Sequence, residues 1–408
     1  MIIIFIIALL SCDKDTNYTE PPSPPVKENR ANFSPEILWE VPIAPDTMDC
    51  ITFAPIVTNN YVVFGNQFCR PGGNGVIRTY NKTNGDFLWE WGEGTGIGHV
   101  SSRRSHYLNN DDLVLSMGRN ILSLGVADGI VNWNYEAPKS YNPRIDVIDD
   151  HVYWSHGERV NDSLKYLVRT PTDRIEFDTI YSSGAPEGYR YNYEPPVAAT
   201  DLSGRDLLLL PARFGIGSAP ANYEVEITAL DATTFEPVWK IDTLPHDWNS
   251  SVTAPLVIEQ TLVFPGEENL YGIDINTGDI LWHASIPEGT LLTGLVEHEG
   301  FVYLVGNLGT LYKVDWRTGR YGYVTKGYGG NVSNMIIHDD LLYFVSGANG
   351  RLYAVNVDTA EKVWEEKAPN RDDFGFATFG LGGIAIDHEA GILYTADRVA
   401  AYALKLPE

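Results

Sequence analysis

Three oxygen-bearing side chains crowd one short stretch of the chain, YGIDINTGDILW at residues 271–282. Asp274, Asn276 and Asp279 are residue types that bind calcium, which needs about six or seven oxygen ligands converging on one point. An EF-hand loop continues to a glutamate at its twelfth position, and this segment has no glutamate there. Alternating residues before Asn276 and turn residues after it instead predict a β-hairpin that ends at Trp282.

Common motifs of catalysis and metal binding are missing from the sequence. It has no His-Glu-x-x-His pair, no P-loop, no Gly-x-Ser-x-Gly nucleophile motif and no cluster of cysteines and histidines. The nine histidines are scattered, and His338 and His388 fall in predicted turns, where we expect solvated side chains rather than metal ligands. The sequence therefore predicts no catalytic residue and no metal site.

The hairpin at Trp282 recurs along the chain. The Trp282 copy has glycine four residues before its final aromatic residue and aspartate eight residues before it, and the other copies align with it at the same spacing. The copies are TYNKTNGDFLW (79–89), SLGVADGIVNW (123–133), LVRTPTDRIEF (167–177), ALDATTFEPVW (229–239), KVDWRTGRYGY (313–323) and AVNVDTAEKVW (354–364). The copy at 167–177 fits weakly, because Phe177 stands in place of tryptophan.

The spacing of these hairpins predicts the fold. Trp239, Trp282, Tyr323 and Trp364 lie 43, 41 and 41 residues apart, which is the period of a four-stranded propeller blade. A second hairpin of two apolar strands and a polar turn precedes each copy, so that each period supplies strands A, B, C and D. Eight A–B pairs and seven complete C–D hairpins predict an all-β, eight-bladed β-propeller that lacks one outer strand at its C-terminal end.

The missing strand is expected at the other end of the chain. Segment 35–42, PEILWEVP, is an isolated strand that carries Trp39 in the manner of a D strand. Pairing it with residues 399–404 completes the eighth blade and leaves no terminal edge exposed. We therefore predict a single propeller domain over residues 35–408, closed by pairing of its N-terminal strand with the C-terminal blade.

The repeated motif Ala-x-Asp-x-x-Thr-Gly-x-x-x-Trp resembles the tryptophan-docking motif of the pyrroloquinoline-quinone (PQQ)-like propeller superfamily, and the resemblance covers residues 36–408. It implies that each indole packs against the glycine turn of the neighbouring blade. Burying about 150–250 Å² of aromatic surface contributes about 4–6 kcal/mol before entropy is subtracted. We expect this structural role, rather than direct contact with a ligand, for Trp39, Trp89, Trp133, Trp239, Trp282, Tyr323 and Trp364.

The superfamily also includes PQQ dehydrogenases, which are typically longer and carry two adjacent cysteines near the cofactor. The three cysteines of this chain, Cys12, Cys50 and Cys69, are not adjacent. The resemblance therefore concerns the fold, and we expect neither a bound cofactor nor enzymatic activity.

The N-terminal segment predicts a lipid anchor. MIIIFIIALLSC offers about ten apolar residues before Cys12, too few to cross a bilayer of roughly 30 Å. LLSC resembles a lipobox, although the segment before it lacks a basic residue. The resemblance implies a signal peptide at 1–11, acylation at Cys12 and an outer-membrane lipoprotein facing either the periplasm or the cell surface. Residues 12–34 are polar and proline-rich, as expected of a disordered tether.

The two remaining cysteines flank the first predicted A–B hairpin. If Asn59 and Asn60 form a two-residue turn, paired positions sum to 119, and Cys50 would lie opposite Cys69. An oxidising compartment would then favour a disulfide. The alternative is two free, buried thiols.

Charge and loop composition indicate the kind of partner. A formal net charge of −25 argues against nucleic acid, because no row of cations is present to neutralise phosphates. The D–A and B–C loops share one face of a propeller, and several are rich in arginine and aromatic residues. A partner-binding face is predicted at Arg103, Arg104, Tyr189, Arg190, Trp248 and Arg371. The alternative is ordinary loops in which these arginines pair with the surplus carboxylates.

Size, anchor, eight blades and missing catalytic motifs together resemble the propeller lipoproteins of the outer-membrane β-barrel assembly machinery. The resemblance implies a non-catalytic scaffold that binds protein partners at the outer membrane, to which the lipid holds it. Two alternatives remain open at this point. One is a surface lipoprotein that binds or processes glycans, and the other is a PQQ-dependent enzyme, which the absence of adjacent cysteines disfavours; whether the chain binds any small molecule or glycan is unknown.

Overall fold

The computed structural model describes residues 35–43, 49–51, 54–68, 75–92, 106–109, 112–117, 120–136, 144–157, 164–184, 189–216, 223–244, 254–266, 269–288, 294–330, 332–371, 378–380 and 382–407. These residues form β-strands, turns and one 3-10 turn at Pro369–Arg371, with no α-helix among them. No helix in this described part is long and apolar enough to span a membrane. The all-β prediction is confirmed.

The chain enters through β1 (Ile37–Pro42) and then builds four blades in order. Their strands are β2 (Asp49–Ile51), β3 (Ile56–Val57), β4 (Tyr61–Phe68), β5 (Gly75–Asn81) and β6 (Phe87–Trp91); β7 (His106–Asn109), β8 (Asp112–Met117), β9 (Asn120–Gly125) and β10 (Val131–Glu136); β11 (Ile145–Ile148), β12 (His151–Gly157), β13 (Leu164–Pro171) and β14 (Asp178–Gly184); β15 (Tyr189–Tyr193), β16 (Val197–Thr200), β17 (Asp206–Ile216), β18 (Tyr223–Asp231) and β19 (Pro237–Leu244).

Four further blades follow, and the last of them supplies only three strands. Their strands are β20 (Leu256–Ile258), β21 (Thr261–Pro265), β22 (Asn269–Asp274) and β23 (Ile280–Ser285); β24 (Val296–His298), β25 (Phe301–Val305), β26 (Leu311–Asp315) and β27 (Tyr321–Thr325); β28 (Ile336–His338), β29 (Leu341–Ser346), β30 (Arg351–Asn356) and β31 (Lys362–Lys367); β32 (Ala385–Asp387), β33 (Ile392–Ala396) and β34 (Ala400–Lys405).

Each blade is an antiparallel sheet whose strands pair in chain order from A to D. In the first and fourth blades the A strand is split into two pieces that pair with one long B strand, β4 or β17. The eighth sheet has the order β1-β34-β33-β32, so the N-terminal strand serves as its D strand. The prediction of an eight-bladed propeller is confirmed.

Pairing between the two chain ends closes the ring. Trp39 lies opposite Ala403 in the β1–β34 pair. The backbone N–H of Ile43 donates to the carbonyl of Val399 at 3.0 Å, and that of Lys405 donates to Glu36 at 2.9 Å. The closure predicted from the orphan strand is therefore confirmed, and the two termini share one sheet.

A β-bulge aims the aromatic residue of the D strand. In the fifth blade Trp282 pairs with Gly272 and Ile280 pairs with Ile273, which leaves Leu281 as an extra residue. Leu281 is 53% exposed, whereas Trp282 is 9% exposed. The extra residue turns the strand locally, so that the indole points toward the next blade and Leu281 points outward.

Apolar layers between neighbouring blades form the core. Between the sixth and seventh blades, for example, Tyr303 and Val305 pack with Leu342 and Phe344, all of them buried. Strands B and C of each blade are buried on both faces, which explains their nearly continuous apolar sequences. Burial on both sides fixes the stacking of one blade on the next.

The register around the first cysteine differs from the sequence-based expectation. Near the turn Ile56 pairs with Val63, a sum of 119 as predicted. Beyond the break between β2 and β3 the sum falls to 117, so that Cys50 lies opposite Gln67. The split strand shifts the pairing by two residues. The expectation that Cys50 lies opposite residue 69 was therefore wrong. Cys69 lies outside the described residues, and the disulfide stays a prediction.

Candidate functional site

In the Asp-rich hairpin that was considered for calcium binding, the carboxylates accept hydrogen bonds from residues of their own turn. In the fifth blade the Asp274 carboxylate accepts hydrogen bonds from the backbone N–H of Asn276 at 2.8 Å and from its side-chain amide at 2.6 Å. Asp279 accepts a bond of 2.9 Å from the hydroxyl of Thr277. Within the described residues, no three His, Cys, Asp or Glu side chains come together as a metal-ligand group. The repeated aspartate therefore serves the turn.

Tryptophan side chains join successive blades by the same hydrogen bond. The indole N–H of Trp282 donates to the carbonyl of Trp316 in the next blade at 2.8 Å. Four other indoles make the equivalent bond at 2.7–2.9 Å, namely Trp39 to Lys82, Trp89 to Val126, Trp133 to Thr172 and Trp239 to Ile275. Trp39 makes this bond from the strand that closes the ring.

Glycine in the receiving turn makes room for the indole. A methyl group at Gly319 would lie 2.6 Å from Cε3 of Trp282, and one at Gly278 would lie 2.7 Å from the same atom of Trp239. Both glycines also have positive φ angles, 68° and 78°. Only glycine meets both conditions without strain.

Two blades lack the tryptophan, and in both the next blade lacks the glycine. Phe177 of the third blade packs back onto Tyr135 and Trp154, with ring centroids 4.1 and 5.5 Å away. The glycine position of the fourth blade is then Phe235, at φ 60°. Tyr323 replaces the indole in the sixth blade, and Ala360, also at φ 60°, replaces the glycine in the seventh. The correspondence has an exception, because Trp133 docks on the turn of the third blade, where Asp173 takes the glycine position of the sequence motif.

The D–A and B–C connections form the face on which partner binding is predicted, called here the loop face. Its described portion in the fifth to eighth blades contains a repeated type of contact, in which a D–A connection bonds to the B–C turn of the next blade. The Glu288 carboxylate accepts bonds from the hydroxyl and backbone N–H of Thr310, at 2.5 and 3.1 Å. At the next seam the Asn349 amide donates to the carbonyl of Tyr328 at 3.1 Å.

The seam between the seventh and eighth blades holds a buried polar chain. The Asn370 amide donates to the hydroxyl of Tyr402 at 2.6 Å, and that hydroxyl donates to the Asp397 carboxylate at 2.7 Å. The backbone N–H groups of Val399 and Ala400 also donate to Asp397. Burial raises the pKa of Asp397, and burial together with the neighbouring carboxylate raises the pKa of Tyr402. These bonds hold the loop-face end of the closing blade in place.

The residues predicted to bind a partner are only partly described. Tyr189 and Arg190 lie on β15, where their backbones pair with Ile216 and Gly215. Arg371 is the last residue of the 3-10 turn beside the buried polar chain. Three others, Arg103, Arg104 and Trp248, lie outside the described residues, as does the predicted acylation site Cys12. The binding face as a whole remains a prediction.

The face opposite the loop face carries a contact that sequence reasoning missed. His338 and His388, expected to be separate solvated residues, lie with their Nδ1 atoms 2.9 Å apart. The His338 side chain is only 13% exposed. The sequence offered one signal for this contact, since both histidines lie at the A–B turns of consecutive blades, which stack on each other.

Solved structures with the same architecture align with nearly the whole chain. BamB from Moraxella catarrhalis aligns with a TM-score of 0.59 and 14% identity over 92% of this chain and 99% of that chain. The quinohemoprotein alcohol dehydrogenase ADHIIG from Pseudomonas putida HK5 aligns with a TM-score of 0.62 and 14% identity, over 91% of this chain and 76% of that one. A computationally designed protein, Ika8, aligns with a TM-score of 0.60 and 11% identity, over 89% of this chain and 98% of that chain.

A sequence model of the family described as "Outer membrane protein assembly factor BamB" matches residues 218–366. The chain shares the eight-bladed propeller fold of BamB. The predicted likeness to BamB is thereby confirmed at the level of the fold. No curated protein sequence matches the chain.

The described part of this propeller shows no site for the cofactor of the dehydrogenases. Its three cysteines are at positions 12, 50 and 69, so no two are adjacent. In the described part of the chain no group of three His, Cys, Asp or Glu side chains is placed to hold a metal ion beside a quinone.

Proposed function

We propose that the chain is a lipid-anchored, non-catalytic propeller that binds protein partners at the outer membrane, in outer-membrane protein assembly. One observation carries the proposal, the end-to-end correspondence with BamB, of which the alignment covers 99%. The two quinohemoprotein dehydrogenases are covered over only 76% and 79% of their chains. The alignment thus spans nearly all of the assembly factor and about four fifths of each of those enzymes.

The seam contacts of the loop face support a binding platform. Glu288 and Asn370 bond to the following blade, and Asn349 bonds to the D–A connection of the preceding blade, so polar contacts hold the described frame of that face. Loops on a rigid frame lose less entropy on binding than loops on a mobile one. Partner binding by the loop face needs only this frame and the side chains of the loops.

Capture from native outer membranes tests the binding face. Replacing Arg103, Arg104 and Trp248 by alanine should leave stability within about 1 kcal/mol and should weaken recovery of the partner. The matched control is alanine at Arg174 and Arg317, whose side chains are 58% and 55% exposed in C–D turns on the opposite face. Full capture by the loop variant would show that the partner binds elsewhere.

Anchoring and catalytic silence each need a separate experiment. Cys12→Ala should abolish acylation and release the protein from outer-membrane fractions, and unchanged membrane association would refute the anchor. Reconstitution of the purified protein with PQQ and calcium should give no quinone-dependent dye reduction. Dye reduction in that assay would refute the non-catalytic scaffold and show that the protein is an enzyme.

A further inference from the structure

Polar contacts link neighbouring blades on the face opposite the loop face. Nε2 of His298 in the sixth blade lies 3.4 Å from a carboxylate oxygen of Asp340 in the seventh. Nζ of Lys82 in the first blade lies 2.6 Å from a carboxylate oxygen of Asp387 in the eighth. Between these two contacts, at the seam of the seventh and eighth blades, His338 and His388 meet without a carboxylate between them.

The two imidazoles have the spacing of neighbouring metal ligands. Their Nδ1 atoms are 2.9 Å apart, their ring centroids are 5.0 Å apart, and the ring planes are inclined by 53°. A metal ion about 2.1 Å from each nitrogen, with a bond angle near 90°, would place its two ligands about 3.0 Å apart. In the structure this contact is a hydrogen bond in which one Nδ1–H donates to the other Nδ1, and a bound metal ion would take the place of that proton.

We propose that His338 and His388 form a binding site for a divalent transition-metal ion, held by their two Nδ1 atoms and completed by water. Imidazole prefers copper, nickel and zinc among such ions. The short spacing favours copper(II) or nickel(II), whose neighbouring ligands lie near 90°, over the wider angles of tetrahedral zinc. The formal net charge of −25 favours the approach of cations.

Asp339 lies where a carboxylate can orient the His338 ring for metal binding. Its Oδ2 atom lies 3.4 Å from Nε2 of His338, the ring nitrogen that faces away from the proposed metal. A carboxylate at this position favours the proton on Nε2 and leaves the Nδ1 lone pair for the metal. Asp339 is therefore a positioning residue rather than a ligand.

Two carboxylates near the pair already have partners. Asp387 bonds to Lys82, and Asp340 lies beside His298. The proposed metal needs neither carboxylate as a ligand, so both contacts can stay intact when it binds. Because His388 belongs to the blade built from both chain ends, a bound ion would tie that blade to its neighbour.

Copper binding to the full chain, purified without a histidine tag, tests the site. Copper(II) added below one equivalent should give an electron paramagnetic resonance spectrum with two nitrogen ligands. Calorimetric titration with nickel(II) should give one site per chain. Bound metal should also raise the midpoint of thermal unfolding, because only the folded chain holds both imidazoles together.

Variants separate this site from adventitious binding. His338→Gln and His388→Gln should each weaken nickel affinity at least tenfold and remove the rise in the unfolding midpoint. Asp339→Asn, which tolerates the positive φ of 48° at that turn, should weaken affinity by about 10-fold or more while keeping two nitrogen ligands. His283→Gln, an exposed histidine of the fifth blade, is the matched control and should bind as the wild type does.

Two outcomes would overturn the proposal. One is equal nickel affinity in the wild type and in the variant lacking both histidines. The other is a copper spectrum of the wild type with a single nitrogen ligand. The second measurement needs no substitution, so the proposal is testable even if a variant fails to fold.

Discussion

Gly319→Ala tests whether the glycine turns are shaped by the indoles that dock on them. Gly319 has a φ of 68°, and an added Cβ would lie 2.6 and 2.7 Å from ring atoms of Trp282. Left-handed backbone costs a residue with a Cβ about 1–2 kcal/mol. Overpacking a site that cannot relax costs about 1–3 kcal/mol more. We therefore expect a loss of about 2–5 kcal/mol in the free energy of unfolding.

Gly204→Ala is the matched control, because it isolates the backbone cost. Gly204 has a φ of 81° and no atom within 4 Å of its ideal Cβ position. Its substitution should cost only the 1–2 kcal/mol of left-handed backbone, by the same rule. The difference between the two variants, about 1–3 kcal/mol, then measures the clash with the indole.

Urea unfolding gives both values, provided that the slope of free energy against urea is the same in each variant. The clash should shrink when Gly319→Ala is combined with Trp282→Phe, because the smaller ring leaves room for the methyl group. Coupling between two residues in contact is measured by such a double-mutant cycle. Equal costs at Gly319 and Gly204, or no coupling to Trp282, would refute the docking explanation.

Three further predictions concern closure, co-occurrence and pH. Deleting Pro35–Pro42 should expose the edge of β34 and sharply lower the midpoint of thermal unfolding, whereas deleting residues 13–34 should leave it unchanged. Calorimetry measures both midpoints, and equal midpoints would contradict closure by the N-terminal strand. Tyr323→Trp should be destabilising by itself and less so with Ala360→Gly, because the glycine makes room for the indole; additive urea midpoints would contradict this. Hydrogen bonds from Ser203 and Arg205 lower the pKa of Asp201, so stability that is present above about pH 4 should be lost as pH falls further, and Asp201→Asn should flatten this loss in acid-unfolding curves.

The number of blades, their strand order and the closure of the ring could all be predicted from the amino-acid sequence. These features depend on alternation within strands and on turn chemistry, both of which involve residues close together in the chain and repeated about every 41 residues. Trp39 in an orphan strand was enough to predict closure, because a blade with three strands leaves an edge that must pair. The docking role of the tryptophans followed from their resemblance to a known motif.

The contacts across the seams between blades could not be predicted from the sequence, because they depend on how the blades stack. The matched loss of indole and glycine at Phe177 and Phe235, and at Tyr323 and Ala360, depends on how one blade stacks on the next, at sequence separations of 37 residues or more. The split first strand moved Cys50 opposite Gln67, because hairpin register is set at the turn only until the strand breaks. His338 and His388 each look like an ordinary turn residue in sequence, and they form a pair only because the stacking of two blades brings their Nδ1 atoms to 2.9 Å.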